Sequence, residues 1–272
     1  MTLQCPLCHQ TLVQYDRTFR CESNHQFDVA KEGYVNLIPA HHKRSKNPGD
    51  NTEMMQARRR FLAGGHYDQM RQAVTELCLA HQSTPEHQLL DIGCGEGYYT
   101  QHFATALNNA APEPTTYGLD ISKVAVRYAA KRYANVQFTV ASSHRLPFSD
   151  LSLDTIVKIY APCKAQELHR CLADNGVLIT VTPAARHLYQ LRESIYEDVR
   201  LHSEEPEEID GFTPVSQQKI HYTMALSGQD ALDLLQMTPF AWKATQKFKH
   251  QLSEAKQYEC EADFMIRIYH KI

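Results

Sequence analysis

Two rhythms of apolar and polar positions run along this chain. From Thr52 to Ala63, Met54, Met55, Arg58 and Leu62 recur at helical spacing. After Gly64-Gly65 a second helix is predicted from Tyr67 to His81, with Met70, Val74, Leu77 and Cys78 on one face. Farther along, short apolar runs take over. Leu89 to Ile92 reads as a strand that ends in a glycine turn, with a helix from Tyr98 to about Leu107. Thr116–Asp120, Val136–Ala141, a strand led in by Leu151–Val157, and Gly176–Thr182 continue the series. Pro183 to Leu201 is predicted mostly helical, Glu204 to Glu208 a solvated acidic loop, and Gly228 to Met237 a helix that Thr238-Pro239-Phe240 ends. Gln218–Met224 and Phe264–His270 alternate as strands. Strands that alternate with helices predict an α/β domain over residues 52–272.

The first 35 residues follow neither rhythm and are set apart by their cysteines. Cys5-Pro6-Leu7-Cys8 is followed, twelve residues on, by Cys21 and then His25. Zinc takes four nitrogen or sulfur ligands in a tetrahedron, and structural sites use paired knuckles of this kind. Gln10 to Arg20 has the length of a hairpin that closes the two halves on one ion. So few large apolar side chains lie here that the module could not easily fold alone. A bound zinc, worth about 10–16 kcal/mol in small modules, supplies the difference. His9 is a rival fourth ligand, but its adjacency to Cys8 makes the chelate awkward, so Cys5, Cys8, Cys21 and His25 are the expected set. Residues 36–51 carry two prolines and no periodicity, and read as an exposed basic linker.

Composition narrows the class. At 272 residues the chain accommodates one α/β domain and a small module. No run approaches the about 18 consecutive apolar residues of a membrane span. The opening Met1 to Cys5 lacks a basic start and an apolar core, so no signal peptide is expected, and the eight cysteines are expected reduced, in the cytosol. Net charge is −3, which argues against a broadly basic nucleic-acid binder. Its distribution is uneven: residues 1–60 carry nine Lys/Arg against six Asp/Glu, a balance of +3, and the remainder 19 against 25, a balance of −6. Lys43, Arg44, Lys46 and Arg58-Arg59-Arg60 form local basic clusters, and phosphate binding needs local rather than global charge.

The glycine turn adds chemistry. In Asp91-Ile92-Gly93-Cys94-Gly95-Glu96-Gly97-Tyr98-Tyr99-Thr100, three glycines let backbone pass close to a ligand, and the following helix aims free N–H groups at its anionic end. Asp120 closes the next apolar run, where a carboxylate accepts bonds from ribose hydroxyls. Dinucleotide enzymes favour Gly-x-Gly-x-x-Gly with the acidic residue about 20 positions on. Here the third glycine comes one position early, and Asp120 lies 27 beyond Gly93. The tighter loop resembles the Asp/Glu-x-Gly-x-Gly-x-Gly motif of class I S-adenosylmethionine-dependent methyltransferases.

Further segments extend that resemblance. Ser142-Ser143-His144-Arg145-Leu146-Pro147-Phe148-Ser149-Asp150 and the run that follows resemble the passage that, in many of these enzymes, faces the adenine. Ser142 stands where an aspartate is frequent. Cys5-Pro6-Leu7-Cys8, Ala30-Lys31-Glu32-Gly33-Tyr34-Val35-Asn36-Leu37, His42-Lys43-Arg44-Ser45, Pro48-Gly49-Asp50, Gly65-His66-Tyr67 and Ile159-Tyr160-Ala161-Pro162-Cys163-Lys164 resemble the 23S ribosomal RNA guanine-N1 methyltransferase family. The resemblance implies a class I (Rossmann-like) methyltransferase domain behind a zinc-binding module, with the two late strands as an antiparallel pair. It implies methylation of N1 of one guanine in a hairpin loop of 23S rRNA, and a homodimer. It places zinc on Cys5, Cys8, Cys21 and His25. Cofactor contacts fall on Tyr67, the loop through Gly93, Gly95, Gly97, Tyr98, Tyr99 and Thr100, then Asp120, Ser142 and His187.

Guanine N1 lies on the Watson–Crick edge, so the base must be unpaired or flipped. RNA enzymes hold such bases on aromatic faces, for which Tyr15, Phe19, Phe27 and Tyr34 are available. Tyr160-Ala161-Pro162-Cys163 stands where many nucleobase methyltransferases place Asn/Asp-Pro-Pro-aromatic, which makes Tyr160 a candidate for the guanine pocket. His144 and His187 are candidates for the proton acceptor by type only. A methyltransferase of small molecules or proteins with a purely structural zinc, or a non-enzymatic zinc adaptor, would share much of this sequence.

Overall fold

The computed structural model describes residues 3–39 and 52–272. The N-terminal residues form a small antiparallel sheet of β1 (Leu3–Gln4), β2 (Thr11–Tyr15), β3 (Thr18–Arg20) and β4 (Gln26–Asp28), ordered as in the sequence. β2 and β3 are the hairpin expected between the two knuckles. The chain then enters the large sheet through β5 (Val35–Asn36).

Helices α1 (Thr52–Ala63) and α2 (Asp68–Ala80) follow. The alternating part runs β6 (Gln88–Ile92), α3 (Tyr98–Ala110), β7 (Thr115–Asp120), α4 (Lys123–Arg132), β8 (Gln137–Val140), β9 (Leu153–Ile159), α5 (Ala165–Cys171) and β10 (Leu172–Pro183). It ends with α6 (Tyr189–Glu193), β11 (Phe212–Leu226), α7 (Gly228–Gln236), α8 (Gln246–Ser253) and β12 (Tyr258–Lys271). The eight strands lie in the order β11-β12-β10-β9-β6-β7-β8-β5. β5 to β10 are parallel, whereas β12 is antiparallel to β10 and β11 to β12, from Phe212 against Lys271 to Leu226 against Tyr258. The chain steps outward from β6 to β8, then returns to β9 on the other side of β6. A crevice at such a switch point, outside the carboxyl ends of the strands, is where open α/β sheets bind ligands.

Alternation along β6 explains the two layers of core. Leu89 packs with Phe61, Met70, Phe103, Val157, Ile179 and Phe264 on one face. Leu90 and Ile92 pack with Leu119, Ile156, Leu178 and Tyr269 on the other. Strands covered on both faces read as continuous apolar runs, as these do. Cys5, Leu12 and Cys21 belong to the second layer, together with Leu146 and Phe148. The Gln4 N–H donates to the Pro147 carbonyl at 3.0 Å, and Leu3 bridges Phe148. The cysteine module therefore shares its interior with the large domain.

Two stretches depart from the sequence reading. The expected exposed linker at 36–51 starts inside the sheet: Asn36 pairs with Val140, and Leu37 is buried, because an apolar residue beside the β8 edge gains more by packing than by solvation. Residues 40–51, with Lys43, Arg44 and Lys46, lie outside the described residues. Pro183–Leu201 holds helix only over Tyr189–Glu193, since Ala184 and Leu188 donate instead to carbonyls of β12 (Asp263 at 2.9 Å, Glu261 at 2.9 Å). The acidic loop is solvated as expected, with 205–208 exposed, and is in addition tied down: Glu207 accepts from the buried Lys158 ammonium at 2.8 Å, and Glu204 pairs with Lys219.

Candidate functional site

The knuckle residues converge. One ligand atom from each of Cys5, Cys8, Cys21 and His25 lies within 4.8 Å of the others. Cys8 Sγ is 3.5 Å from Cys21 Sγ, and His25 Nδ1 is 3.4 Å from Cys21 Sγ and 3.5 Å from Cys5 Sγ. Zinc–sulfur bonds of about 2.3 Å and zinc–nitrogen bonds of about 2.0 Å in a tetrahedron demand separations close to these. Left-handed residues, His9 (φ 63°) and Asn24 (φ 60°), close the two turns. Gln10 Oε1 ties them together by accepting from the Ser23 N–H and hydroxyl at 3.0 and 2.7 Å. His9 is not in the group. Three thiols and an imidazole fit one four-coordinate structural zinc with no open position.

The glycine loop sits at the carboxyl ends of β6 and β7. Gly93, Gly95 and Gly97 all have positive φ (75°, 54° and 79°), which favours glycine in each place. Their surroundings differ. A Cβ on Gly93 would stand 2.7 Å from Ala161 Cβ, and one on Gly97 2.9 Å from the Phe138 ring. A Cβ on Gly95 would meet nothing within 4 Å. Backbone at Gly95 thus borders open space between two packed glycines. The Gly95 N–H donates to Asp120 Oδ2 at 3.0 Å, and the Ser122 N–H to Oδ1 at 2.7 Å. These bonds fix the carboxylate at the rim, and each carboxylate oxygen accepts more than one donor.

Beneath the loop, Thr100 Oγ1 donates to the buried Asp91 at 2.6 Å. Burial, with the Asp120 charge adding to it, pushes the Asp91 carboxyl up to about 7. The Thr100 side chain braces the loop, and only its backbone is available at the helix start. Tyr98 turns away as well: its hydroxyl donates to Asp68 at 2.5 Å, and the Arg71 guanidinium lies over its ring. The Ser142 hydroxyl accepts the His144 N–H at 3.2 Å and keeps its own proton to donate.

A second group closes the crevice from the β10 side. Tyr67 is almost fully buried, its ring edge-on to Phe264 at 4.9 Å and 6.1 Å from the His187 ring. The Tyr67 hydroxyl is buried without a hydrogen-bond partner. The sequence places Phe264 in a strand, but nothing in its alternation reveals that it floors this group. His187 accepts the Asp263 N–H on Nδ1 at 3.2 Å, and its Nε2 lies 3.5 Å from the Tyr160 hydroxyl. Burial drives the His187 imidazole down to about 3, so it is neutral and carries its proton on Nε2. Tyr160 ends β9 at φ 55°, a strained conformation for a ring-bearing residue, and is 48% exposed. The structure thus brings Tyr67, His187 and Tyr160 together, sets Gly93 against Ala161, and ties Gly95 to Asp120. An uncommitted buried hydroxyl, an open glycine cradle and a rim carboxylate fit a nucleoside cofactor of the adenosylmethionine type. Of the four aromatics considered for RNA, Tyr15 is exposed and Tyr34 buried, while Phe19 and Phe27 pack on the shared core.

Residues 3–46 match the RlmA N-terminal zinc-ribbon family, and residues 83–231 a methyltransferase domain family. A Streptomyces fradiae protein named 23S rRNA (guanine(748)-N(1))-methyltransferase is 35% identical over 248 residues, covering 88% of this chain and 85% of its own. The chain belongs to the 23S rRNA (guanine-N1)-methyltransferase family. Two further relatives carry provisional names of that kind. The Micromonospora griseorubida protein is 32% identical over 267 residues (88% of this chain, 86% of its own), and the Bacillus subtilis protein 30% over 274 (97% and 95%). Among solved structures, the YcgJ protein of Bacillus subtilis matches with a TM-score of 0.45 at 17% identity, covering 72% of this chain and 97% of its own. Membership fits a class I adenosylmethionine fold behind a zinc ribbon, which the geometry independently displays.

Proposed function

We propose that the protein transfers a methyl group from S-adenosylmethionine to N1 of a guanine in a hairpin loop of 23S rRNA, acting in the cytoplasm as a homodimer. The observation that carries this reading is the open cradle at Gly95 beside Asp120, in a chain whose family resemblance spans both the ribbon and the methyltransferase domain. Relatives named for this activity on 23S rRNA align over most of the chain, which favours RNA over a small-molecule or protein acceptor. Among the described residues no helix is long and apolar enough to cross a membrane.

When bound, the cofactor supplies an electrophilic methyl group on a positively charged sulfur. Asp120 would hold its ribose hydroxyls, the Gly93–Gly97 backbone its amino-acid end, Ser142 its adenine side, and the Tyr67 hydroxyl a polar group in the buried wall. Tyr98, Tyr99 and Thr100 would contribute the helix start rather than their side chains. Alignment is the main requirement of an in-line displacement, and orientation of this kind is worth about 7–11 kcal/mol in favourable cases. Cys5, Cys8, Cys21 and His25 would hold zinc for structure alone.

Tyr160 faces the space an acceptor base would enter. His187 points its Nε2–H at the Tyr160 oxygen, which leaves the phenol proton directed outward. The N1 proton of guanine would leave to solvent water, because His187 has its Nδ1 bonded to the Asp263 N–H and its Nε2 already protonated. As it leaves, negative charge builds on O6, and a phenol donor at that atom favours the deprotonated form. The decisive experiment supplies labelled adenosylmethionine and unmodified 23S rRNA and maps primer-extension stops, since N1-methylguanine cannot pair. A single stop at a loop guanine is expected. Label in protein or small molecules with no stop in the RNA would overturn the reading.

A further inference from the structure

The only tryptophan of the chain is its most exposed large apolar side chain among the described residues: Trp242 is 77% exposed. A solvated indole forgoes the burial that aromatic rings ordinarily provide, and here it stands in a cluster of rings and a cation rather than alone. It stands in a single 3-10 turn, Ala241–Lys243, between α7 and α8, pinned from below by the buried Ala244. The Lys243 ammonium lies 5.2 Å from the Trp242 ring centroid and 4.7 Å from that of Tyr196. Tyr196 in turn meets the Phe240 ring at 6.4 Å. One cation between two rings holds the indole in place while most of its surface remains in water.

Charge around the turn indicates what it would meet. From Thr238 to Ser253 the chain carries Lys243, Lys247, Lys249 and His250 and no carboxylate. The neighbouring segment contributes Glu193, Glu197 and Asp198, so the region is no broad positive field for duplex phosphates. Stacking aided by a few lysines is the mode used for unpaired nucleotides, and it tolerates any base.

Position completes the argument. The Tyr196 N–H donates to the Arg192 carbonyl at 2.8 Å, and the Arg192 guanidinium reaches the His187 carbonyl at 3.5 Å. Arg58 of α1 bonds the Met237 carbonyl at the end of α7, at 3.4 Å. The turn is thereby anchored to the β10 rim of the crevice. The zinc module is attached at the far end of the sheet, beside β8 and the Pro147 loop. The turn packs through Ala244 on the layer of Leu89 and Phe264, and Cys5, Leu12 and Cys21 of the module on the layer of the other face, so the two lie on opposite faces of the sheet.

We propose that Trp242, set by Lys243 and Tyr196, is a stacking platform for an unpaired base of the RNA substrate, flanking the crevice on the side opposite the zinc module. This rests on the reading of the protein as an rRNA methyltransferase. Because Trp242 is the sole tryptophan among fourteen tyrosines, emission excited on the red edge, where tyrosine does not absorb, reports on this surface alone. Zinc-loaded protein titrated with in-vitro-transcribed 23S rRNA should show saturable quenching. Trp242→Ala should raise KM for that RNA on the order of tenfold to hundredfold. Trp242→Phe should stay within a few-fold, and adenosylmethionine affinity should not change in either variant. RNA bound on a filter with no quenching would overturn the proposal, as would methylation by Trp242→Ala with unaltered KM. Either result leaves the methyltransferase reading standing. Emission that shifts with protein concentration before RNA is added would assign the turn to a protein interface and equally overturn it. Absence of methyl transfer by the unaltered protein would instead sink the underlying reading.

Discussion

The Thr100 hydroxyl stands 2.6 Å from Asp91 Oδ2, and neither side chain reaches solvent. This bond joins the end of β6 to the first turn of α3 and sets the glycine loop between them. It also holds a carboxyl that burial raises to about 7. A group whose folded pKa lies above its unfolded value stabilises the protein below the unfolded value and loses that contribution as pH rises through the folded one. The window for Asp91 is therefore from about pH 4 to pH 7. Asp91→Asn keeps an acceptor for Thr100 without the charge. Its melting temperature relative to the unaltered protein should rise across that window, measured by calorimetry in buffers from pH 4 to 8. A difference that stays flat would contradict the raised pKa.

Tyr67→Phe should separate stability from binding. Removing a buried hydroxyl that has no partner relieves a desolvation cost of about 1–3 kcal/mol. The free protein should melt at the same temperature or higher, while calorimetric titration with adenosylmethionine should show weaker binding. Loss of stability with intact affinity would show that the hydroxyl serves the core.

Gly93→Ala and Gly95→Ala test the two kinds of glycine in one loop. At Gly93 a methyl group collides with Ala161 at 2.7 Å in a left-handed conformation, so unfolding should become easier by about 1–3 kcal/mol. At Gly95 the conformation is strained but the space is open, and the cost should be smaller. Cofactor affinity should fall in both. Equal destabilisation would contradict the packing difference.

Tyr160→Phe removes the phenol donor and keeps the ring. If the hydroxyl assists proton loss from guanine, kcat falls by about 10- to 100-fold with cofactor affinity intact. Tyr160→Ala should also raise KM for RNA. His187 remains neutral, so the pH profile should contain no inflection from it between pH 5 and 8. Unchanged turnover in both variants would remove Tyr160 from the pocket.

Chelation of zinc should do more than melt the ribbon. Cys5 and Cys21 pack in the same layer as Leu146 and Phe148, and Gln4 bonds Pro147. Amide hydrogen exchange should therefore accelerate at Leu146 and Phe148 as well as across 3–28 once the metal is stripped. Exchange confined to the ribbon would mean that the shared layer holds without it.

Much of this was legible from spacing. The Cys5-x2-Cys8 and Cys21-x3-His25 pairs converge as drawn, because a tetrahedron admits few arrangements of two short knuckles. The parallel strands were readable because burial on both faces makes them uniformly apolar, and the glycine loop because positive φ restricts the residue type. What escaped depended on long-range packing. α5 is seven residues long and has no side-chain cap, so tertiary contact rather than local pattern sustains it, whereas α4 and α8 carry local caps in Ser122 and Thr245 that spacing alone did not single out. Residues 183–201 carry helical propensity, yet the N–H groups of Ala184 and Leu188 go to the Asp263 and Glu261 carbonyls, where β12 runs past the end of β10. The roles of Ala161, Phe264 and Asp263 become visible only when β9, β10 and β12 are brought side by side.

The layer common to Cys5, Cys21, Phe148 and Leu153 has an architectural consequence. A ribbon joined by a free tether could be grafted onto another enzyme like a bead on a string. Here the metal knot and the catalytic sheet were fitted to each other's contours, so whichever one drifts in sequence obliges the other to follow.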